Sequence, residues 1–176
     1  MRRLAAYMVV WAALVVGIGA CRRATSEPAT IEQPAALATT VRMDNPSQTV
    51  QLVKGFHAVE NGAWRWTQGK FTVNLQPPVT AASKGADLVM KFTVPEIVIK
   101  TNKDVTINAS VNGEHLPPAS YKTVGEHTLK LSVPASALGG DAVRCDFVLD
   151  KTMPPTPQEQ RELGLIVQSI GLQKKP

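Results

Sequence analysis

The sequence is built from short runs in which apolar and polar residues alternate, and most runs end at a Gly, Pro or Asn-Gly turn signal. Residues 86–94, ADLVMKFTV, place Leu88, Met90 and Phe92 on one side of an extended strand. Runs of this length and period form strands, whereas amphipathic helices need a period of about 3.6 residues. About eight such runs with little helix between them predict an all-β fold, an antiparallel β-sandwich of jelly-roll-like form.

The densest of these signals lies in residues 55–75, GFHAVENGAWRWTQGKFTVNL, which contain two of the three Trp residues. The tripeptide 60–62, Glu-Asn-Gly, is a tight-turn signal because Asn and Gly both tolerate a positive φ. Residues 63–67 then read as one strand and residues 70–75 as the next, with a second turn at the Gln-Gly pair 68–69. The sequence therefore predicts a hairpin built from these two strands.

Trp64 and Trp66 stand at alternate positions, so they share one face of the predicted strand while Arg65 points to the other. Two rings at this spacing lie side by side and can stack on the apolar faces of sugars. The same spacing also suits a sandwich core, in which Phe71 and Val73 of the next strand would cover the rings. Because Trp is highly buried on average, sealing the core is the favoured interpretation and a sugar-binding surface is the alternative.

The chain begins with Met1-Arg2-Arg3 and continues with an uncharged, mostly apolar stretch over residues 4–20. A positive start followed by such a stretch is the pattern of a secretory signal peptide. The stretch closes on Ile18-Gly19-Ala20-Cys21, which resembles the lipobox of bacterial lipoproteins, whose cysteine thiol is diacylated and becomes the first mature residue. The resemblance implies a signal peptide over residues 1–20 and lipidation of Cys21.

An uncleaved signal anchor is the alternative, because the apolar stretch is just long enough for a tilted spanning helix. Arginines flank it on both sides and give no clear orientation, which favours the lipoprotein. In either case the rest of the chain lies outside the cytoplasm. In lipoproteins an Asp after the cysteine favours inner-membrane retention, and Arg22 stands there instead. We therefore expect a lipid-anchored protein, at the outer membrane in a cell with two membranes.

Residues 21–48 are rich in Ala, Thr, Pro, Glu and Gln without a sustained period, and this composition predicts a flexible tether after the lipidated cysteine. The folded domain is expected over residues 49–173. Within it, Cys145 lies in the alternating run 143–149. If Cys21 carries lipid, no disulfide partner remains, so Cys145 is expected to be a small buried core residue.

Several short motifs follow one another in a recognisable order. They are Gly55-Phe56, Glu60, Trp64-Arg65-Trp66-Thr67, Val111-Asn112-Gly113 and Gln160-Arg161-Glu162-Leu163-Gly164-Leu165. This order resembles a group of bacterial β-sandwich domains, similar to carbohydrate-binding modules, that occur beside glycosyltransferases and in envelope proteins. The likeness covers residues 49–172 and implies the same fold and a glycan-binding role. The closing motif of that group usually begins with Asp, and this chain departs from it with Gln160 or Glu159 there.

The candidate ligand-binding residues are Trp64, Trp66, His57, Glu60, Arg65 and Arg161. For the two arginines a structural ion pair is the favoured alternative, and Arg65 can reach Glu60 across the turn. No catalytic, metal or cofactor site is predicted, because the three His are far apart in sequence and the 14 Asp and Glu form no motif. The formal charge of +5 is spread over the chain, which argues against a nucleic-acid partner.

These features predict a non-enzymatic, membrane-anchored lipoprotein. Its expected partners are membrane lipid, through Cys21, and a glycan or envelope polysaccharide bound by the sandwich. The alternative is a structural lipoprotein that docks a protein partner in the cell envelope through a sheet edge or loops.

Overall fold

The structure is a computed structural model that describes residues 36–175. Its ten strands are β1 (Thr40–Arg42), β2 (Leu52–Glu60), β3 (Trp64–Leu75), β4 (Ala86–Val94), β5 (Val105–Val111), β6 (Glu114–His115), β7 (Ala119–Tyr121), β8 (Gly125–Val133), β9 (Val143–Leu149) and β10 (Ile166–Lys174). Helices α1 (Ala81–Lys84) and α2 (Glu96–Asn102) are short, and 3₁₀ turns span Pro46–Gln51 and Ala135–Ala137. Within residues 36–175 no helix has the length and apolar character needed to cross a membrane. The predicted signal peptide, Cys21 and the first part of the tether lie outside the described residues.

All strand pairs are antiparallel and form one continuous sheet in the order β6-β5-β9-β3-β10-β4-β8. Strand β3 joins its two halves, because residues 70–75 pair with β9 and residues 65–66 pair with β10. We call the half that contains β1, β4, β8 and β10 the front sheet, and the half that contains β5, β6, β7 and β9 the back sheet. Strands that pass from one sheet to the other form the corners of β-sandwiches.

The two sheets enclose a single hydrophobic core. Phe71 of β3 stacks on Phe147 of β9 with ring centroids 4.8 Å apart. Phe92 of β4 meets Tyr121 of β7 edge-on at 5.0 Å, and this contact crosses from the front sheet to the back sheet. The predicted all-β antiparallel sandwich is therefore confirmed.

Cys145 is fully buried in this core, as the alternation of its strand predicts. Burial raises the pKa of its thiol to about 12, and the neighbouring Asp146 carboxylate adds to the shift. A thiol with this pKa stays protonated at neutral pH and is a poor nucleophile, so Cys145 serves as a small apolar residue.

The folded domain begins earlier than the predicted boundary at residue 49. Strand β1 pairs with β10, and it brings Val41 and Met43 into the core with at most 1% of either residue exposed. The buried Gln51 amide then bonds to both backbone groups of Ala38 and donates to the Asn74 carbonyl. Strand β1 has only three residues, too few to show an alternating pattern. The sequence therefore predicts, from composition alone, that the tether continues through residue 48.

The predicted turn at residues 68–69 is wrong, whereas the turn at residues 60–62 is confirmed. Asn61 and Gly62 have φ values of +48° and +62°, and they connect β2 to β3. Strand β3 then runs from Trp64 to Leu75 without a break, so the hairpin pairs β2 with β3. Gly69 lies inside the strand, and a Cβ there would stand 2.8 Å from the Glu162 Oε1 atom.

Candidate functional site

The unbroken course of β3 decides which way its two tryptophans point. Phe71, Val73 and Leu75 face the core, and alternate residues of a strand face opposite sides. Trp64 and Trp66 therefore lie on the outer face of the sheet, where both are half-buried and neither belongs to the core. The favoured interpretation that they seal the core is wrong.

Strand register places polar residues beside these rings on the same outer face. Trp66 pairs with Ile166 of β10, which pairs with Thr93 of β4, which in turn pairs with Glu126 of β8. Directly paired residues in antiparallel strands project to the same face. The next outward-facing row on β4 and β8 is the pair Lys91 and Thr128. The outer face of the front sheet thus carries an aromatic side at β3 and a polar side at β4 and β8.

The polar side forms a cleft of about 420 Å³. Its lining residues are Lys91, Phe92, Glu126, His127, Thr128 and Gln168. Gln168 belongs to β10, the strand that separates the cleft from Trp66. The rings and the cleft are therefore neighbouring parts of one surface, which we call the Trp–cleft face and define by Trp64, Trp66, Lys91, Thr93, Glu126, Thr128 and Gln168.

Most polar side chains of the Trp–cleft face are free to bind a ligand. Those of Lys91, Glu126 and Thr128 make no hydrogen bond or ion pair with any residue in the range 36–175. Gln168 Nε2 donates to Thr93 Oγ1 at 3.1 Å, while Gln168 Oε1 has no partner among the described residues. Polar groups left free beside half-buried aromatic rings are what a polar ligand needs for orientation.

Arg161 and Glu60, in contrast, are engaged with each other. Arg161 Nη1 lies 2.6 Å from Glu60 Oε1, and its Nε and Nη2 donate to the two Glu159 oxygens at 2.9 and 2.8 Å. The guanidinium hydrogen bond and the Arg161 backbone N–H lower the pKa of Glu159 to about 2. The two carboxylates raise the pKa of Arg161. This group ties the end of β2 to the loop before β10.

His57 and Arg65 extend the same connection. The Nε2 atom of His57 lies 2.7 Å from the Glu162 carbonyl oxygen, and Arg65 Nη1 donates to the His57 carbonyl at 3.0 Å. Arg65 Nε donates to the Met43 carbonyl at 3.2 Å, so the predicted Arg65–Glu60 ion pair is wrong. The structure brings His57, Arg65 and the Arg161 group together as a scaffold around the hairpin. None of them lines the cleft.

A second cleft of about 360 Å³ lies between β3 and the end of β9, and of its charged side chains only Lys70 makes no hydrogen bond or ion pair within residues 36–175. Asp150 accepts a hydrogen bond from the Thr106 backbone N–H, Lys151 pairs with Asp104, and Glu162 accepts from the Thr152 hydroxyl. More of the polar side chains on the Trp–cleft face are free than in this second cleft. This difference favours the Trp–cleft face as the binding surface.

Sequence reasoning identified the two tryptophans and missed the polar half of the face. The polar half of the face comes from three strands that are far apart in the chain. Its residues are Thr93, Lys91, Glu126, Thr128 and Gln168. Only the register between those strands brings them together. The alternation of β3 was the one local signal. Carried through Gly69 without a turn, it places Trp64 and Trp66 on the face of the strand opposite to that of Phe71.

No model of a known protein family matches the chain, and no curated protein matches it either. Among solved structures it is similar to the CBM36-1 domain of a multidomain xylanase from the hindgut metagenome of Trinervitermes trinervoides, with 12% identity, a TM-score of 0.41, and 78% of this chain and 98% of that chain covered. It is also similar to TmCBM27, a carbohydrate-binding module described for specific mannan recognition, with 11% identity, a TM-score of 0.48, and coverages of 80% and 98%. At such identities and scores the likeness carries no argument about function, and the sandwich is defined by its own strand pairing.

Proposed function

We propose that the domain binds a glycan on the Trp–cleft face. The observation that carries this proposal is that Trp64 and Trp66 face outward beside a cleft in which most polar side chains make no bond within residues 36–175. Indole rings supply stacking surface at little conformational cost, and a few free polar groups fix the orientation of a ligand. The resemblance to carbohydrate-binding domains supports the same conclusion from the sequence motifs.

We propose binding without catalysis. Glycoside hydrolysis generally uses two carboxyl groups placed on either side of the scissile bond. The cleft is lined by one carboxylate, Glu126, and the Cys145 thiol is buried in the core. The chemistry offered by this face is therefore stacking and hydrogen bonding.

Affinity electrophoresis of the full chain on gels that contain soluble polysaccharides tests the proposal. The panel holds dextran, galactomannan and xylan, which are neutral, and polygalacturonate and alginate, which are anionic. Trp66→Ala should abolish retardation and Trp64→Ala should weaken it, while circular dichroism remains that of the folded protein. The matched control is Asn108→Ala, an exposed position on β5 in the back sheet.

The proposal fails if no gel and no position on a glycan array retains the protein. It also fails if the Trp variants lose retention only by unfolding. Cross-linking in cells that recovers one protein partner and no polysaccharide would support the alternative, a lipoprotein that docks a partner in the envelope.

We also propose that the domain is held at the extracytoplasmic side of a membrane by acyl chains on Cys21. Two or three chains at about 0.8 kcal/mol per buried CH₂ hold a protein firmly on a bilayer. Cys21→Ala should abolish labelling by a fatty-acid analogue and either release the protein to the soluble fraction or leave it uncleaved. Labelling that persists in this variant would refute the anchor.

A further inference from the structure

Gln168 is placed unusually within the Trp–cleft face. The register of β10 against β4 shifts between Val167 and Ser169, so Gln168 is the extra residue of a β-bulge. Bulges redirect a side chain and are frequent next to functional sites. Here the bulge lies between the aromatic side and the polar side of the face, and it makes Gln168 part of the cleft lining.

The Gln168 side chain is held at one end and free at the other. Its Nε2 donates to Thr93 Oγ1, and Thr93 occupies the row that also contains Trp66. Its Oε1 is buried without a partner in the described part of the chain. A buried acceptor is costly to leave unbonded, so Oε1 lacks only a donor, and the broad last torsion of a glutamine lets the amide adjust to one.

The charges around the cleft balance. Lys91 and Glu126 contribute one free charge of each sign, and neither forms an ion pair within residues 36–175. Lys130 lies further along β8 and is paired with Asp87 at 3.0 Å. A carboxylate of an anionic polymer would be attracted by Lys91 and repelled by Glu126, so this cleft offers little net attraction to a charged sugar.

We infer that the cleft takes an uncharged sugar unit of the bound glycan and that Gln168 accepts a hydrogen bond from one of its hydroxyl groups. This inference rests on the proposed function, because the neighbouring rings of Trp64 and Trp66 supply the stacking. It assigns Gln168 as a ligand-contacting residue and Thr93 as a positioning residue, which holds the amide but need not touch the sugar.

The test uses the same gels with the full chain in a non-ionic detergent. The protein should be retarded by a neutral polysaccharide, with little change up to about 1 M salt, where the Debye length is only ~3 Å. Gln168→Met keeps the length of the side chain without an acceptor and should lose roughly tenfold in affinity, the size of one neutral hydrogen bond. Gln168→Glu keeps the acceptor oxygens and should retain binding. Gln173→Met, at an exposed position of the same strand, is the matched control.

The outcomes separate the inference from the proposed function. Retardation by polygalacturonate or alginate alone, lost in high salt, would overturn the uncharged ligand but keep glycan binding. Binding of Gln168→Met at the level of the wild type, while Trp66→Ala has lost it, would overturn the role of Gln168. Equal losses in Gln168→Met and Gln168→Glu would point to the amide donor on Thr93 and would overturn the acceptor role. If no gel retards the wild type, the proposed function fails and this inference fails with it. Urea unfolding of each variant shows that the domain is intact.

Discussion

Each of the three guanidinium nitrogens of Arg161 lies within hydrogen-bond distance of a carboxylate oxygen. The sequence alone does not decide whether Gln160 or Glu159 stands at the acidic position that opens the closing motif. The structure shows that Glu159 is the residue that pairs with Arg161, two positions further on. Charged side chains that the sequence predicts as ligand candidates therefore hold the loop, whereas Thr128, which no motif singles out, makes no side-chain hydrogen bond within residues 36–175.

The Arg161–Glu159 pair predicts a specific dependence of stability on pH. The pKa of Glu159 is lowered from 4.5 to about 2 in the folded protein, first by the Arg161 side chain and then by its backbone N–H. The unfolded state consequently binds its proton first as pH falls. The contribution of the pair is complete above the ordinary value of 4.5 and is lost as pH falls toward about 2.

We expect Glu159→Gln to be less stable than the wild type at neutral pH and to approach it as pH falls through this range. The measurement is the urea midpoint at several pH values. The control is Glu114→Gln, because Glu114 is exposed and makes no ion pair among the described residues. Since Glu159 is solvent-accessible, added salt should also narrow the difference. A difference that does not change with pH would contradict the assigned cause.

At the scale of the element, β3 shows how far local reading of the sequence reaches. Its alternation identified Phe71, Val73 and Leu75 as core residues, and the structure confirms them. The same alternation, carried through Gly69, would have placed Trp64 and Trp66 outside. The sequence predicts a turn at Gly69 because glycine commonly marks one. A Cβ at this position would approach the side chain of Glu162, a residue 93 positions away that sequence reasoning cannot locate.

Strand β2 closes on β3 only because residue 55 has no side chain. Gly55 has a φ of +79°, and a Cβ on it would stand 2.1 Å from the Lys70 carbonyl oxygen and 2.7 Å from the Phe71 Cα. These are backbone atoms that cannot move aside. Gly55→Ala should therefore lower the free energy of unfolding by about 2–5 kcal/mol, from the left-handed conformation and the steric clash together. Urea denaturation measures the loss.

Gly62→Ala is the matched control for this prediction. Gly62 also has a positive φ, +62°, but a Cβ there would meet nothing within 4 Å. Its substitution should cost only the conformational penalty of about 1–2 kcal/mol. Equal losses at the two positions would show that close approach of β2 to β3 is not what selects glycine at position 55.

For the whole molecule, the sequence predicts the architecture better than the site. The sandwich follows from the period of each strand, which is a local property. The Trp–cleft face requires the pairing of β3 with β10, β10 with β4, and β4 with β8, and these strands are separated by long stretches of chain. The β-bulge at Gln168 has no local signature at all. A surface assembled by non-local register is therefore visible only in the folded structure.

The start of the domain is the whole-molecule property that a direct measurement can settle. Val41 and Met43 are core residues, and the Met43 carbonyl holds Arg65. Burial of each side chain contributes about 1.5–3 kcal/mol, so a fragment that begins at residue 49 loses ~3–6 kcal/mol from a total that is typically about 5–15 kcal/mol. A fragment that begins at residue 36 keeps these contacts. We expect the longer fragment to unfold cooperatively in urea and the shorter one to unfold at a much lower midpoint. Equal midpoints would mean that β1 is not part of the stable domain and that the tether extends to residue 48 after all.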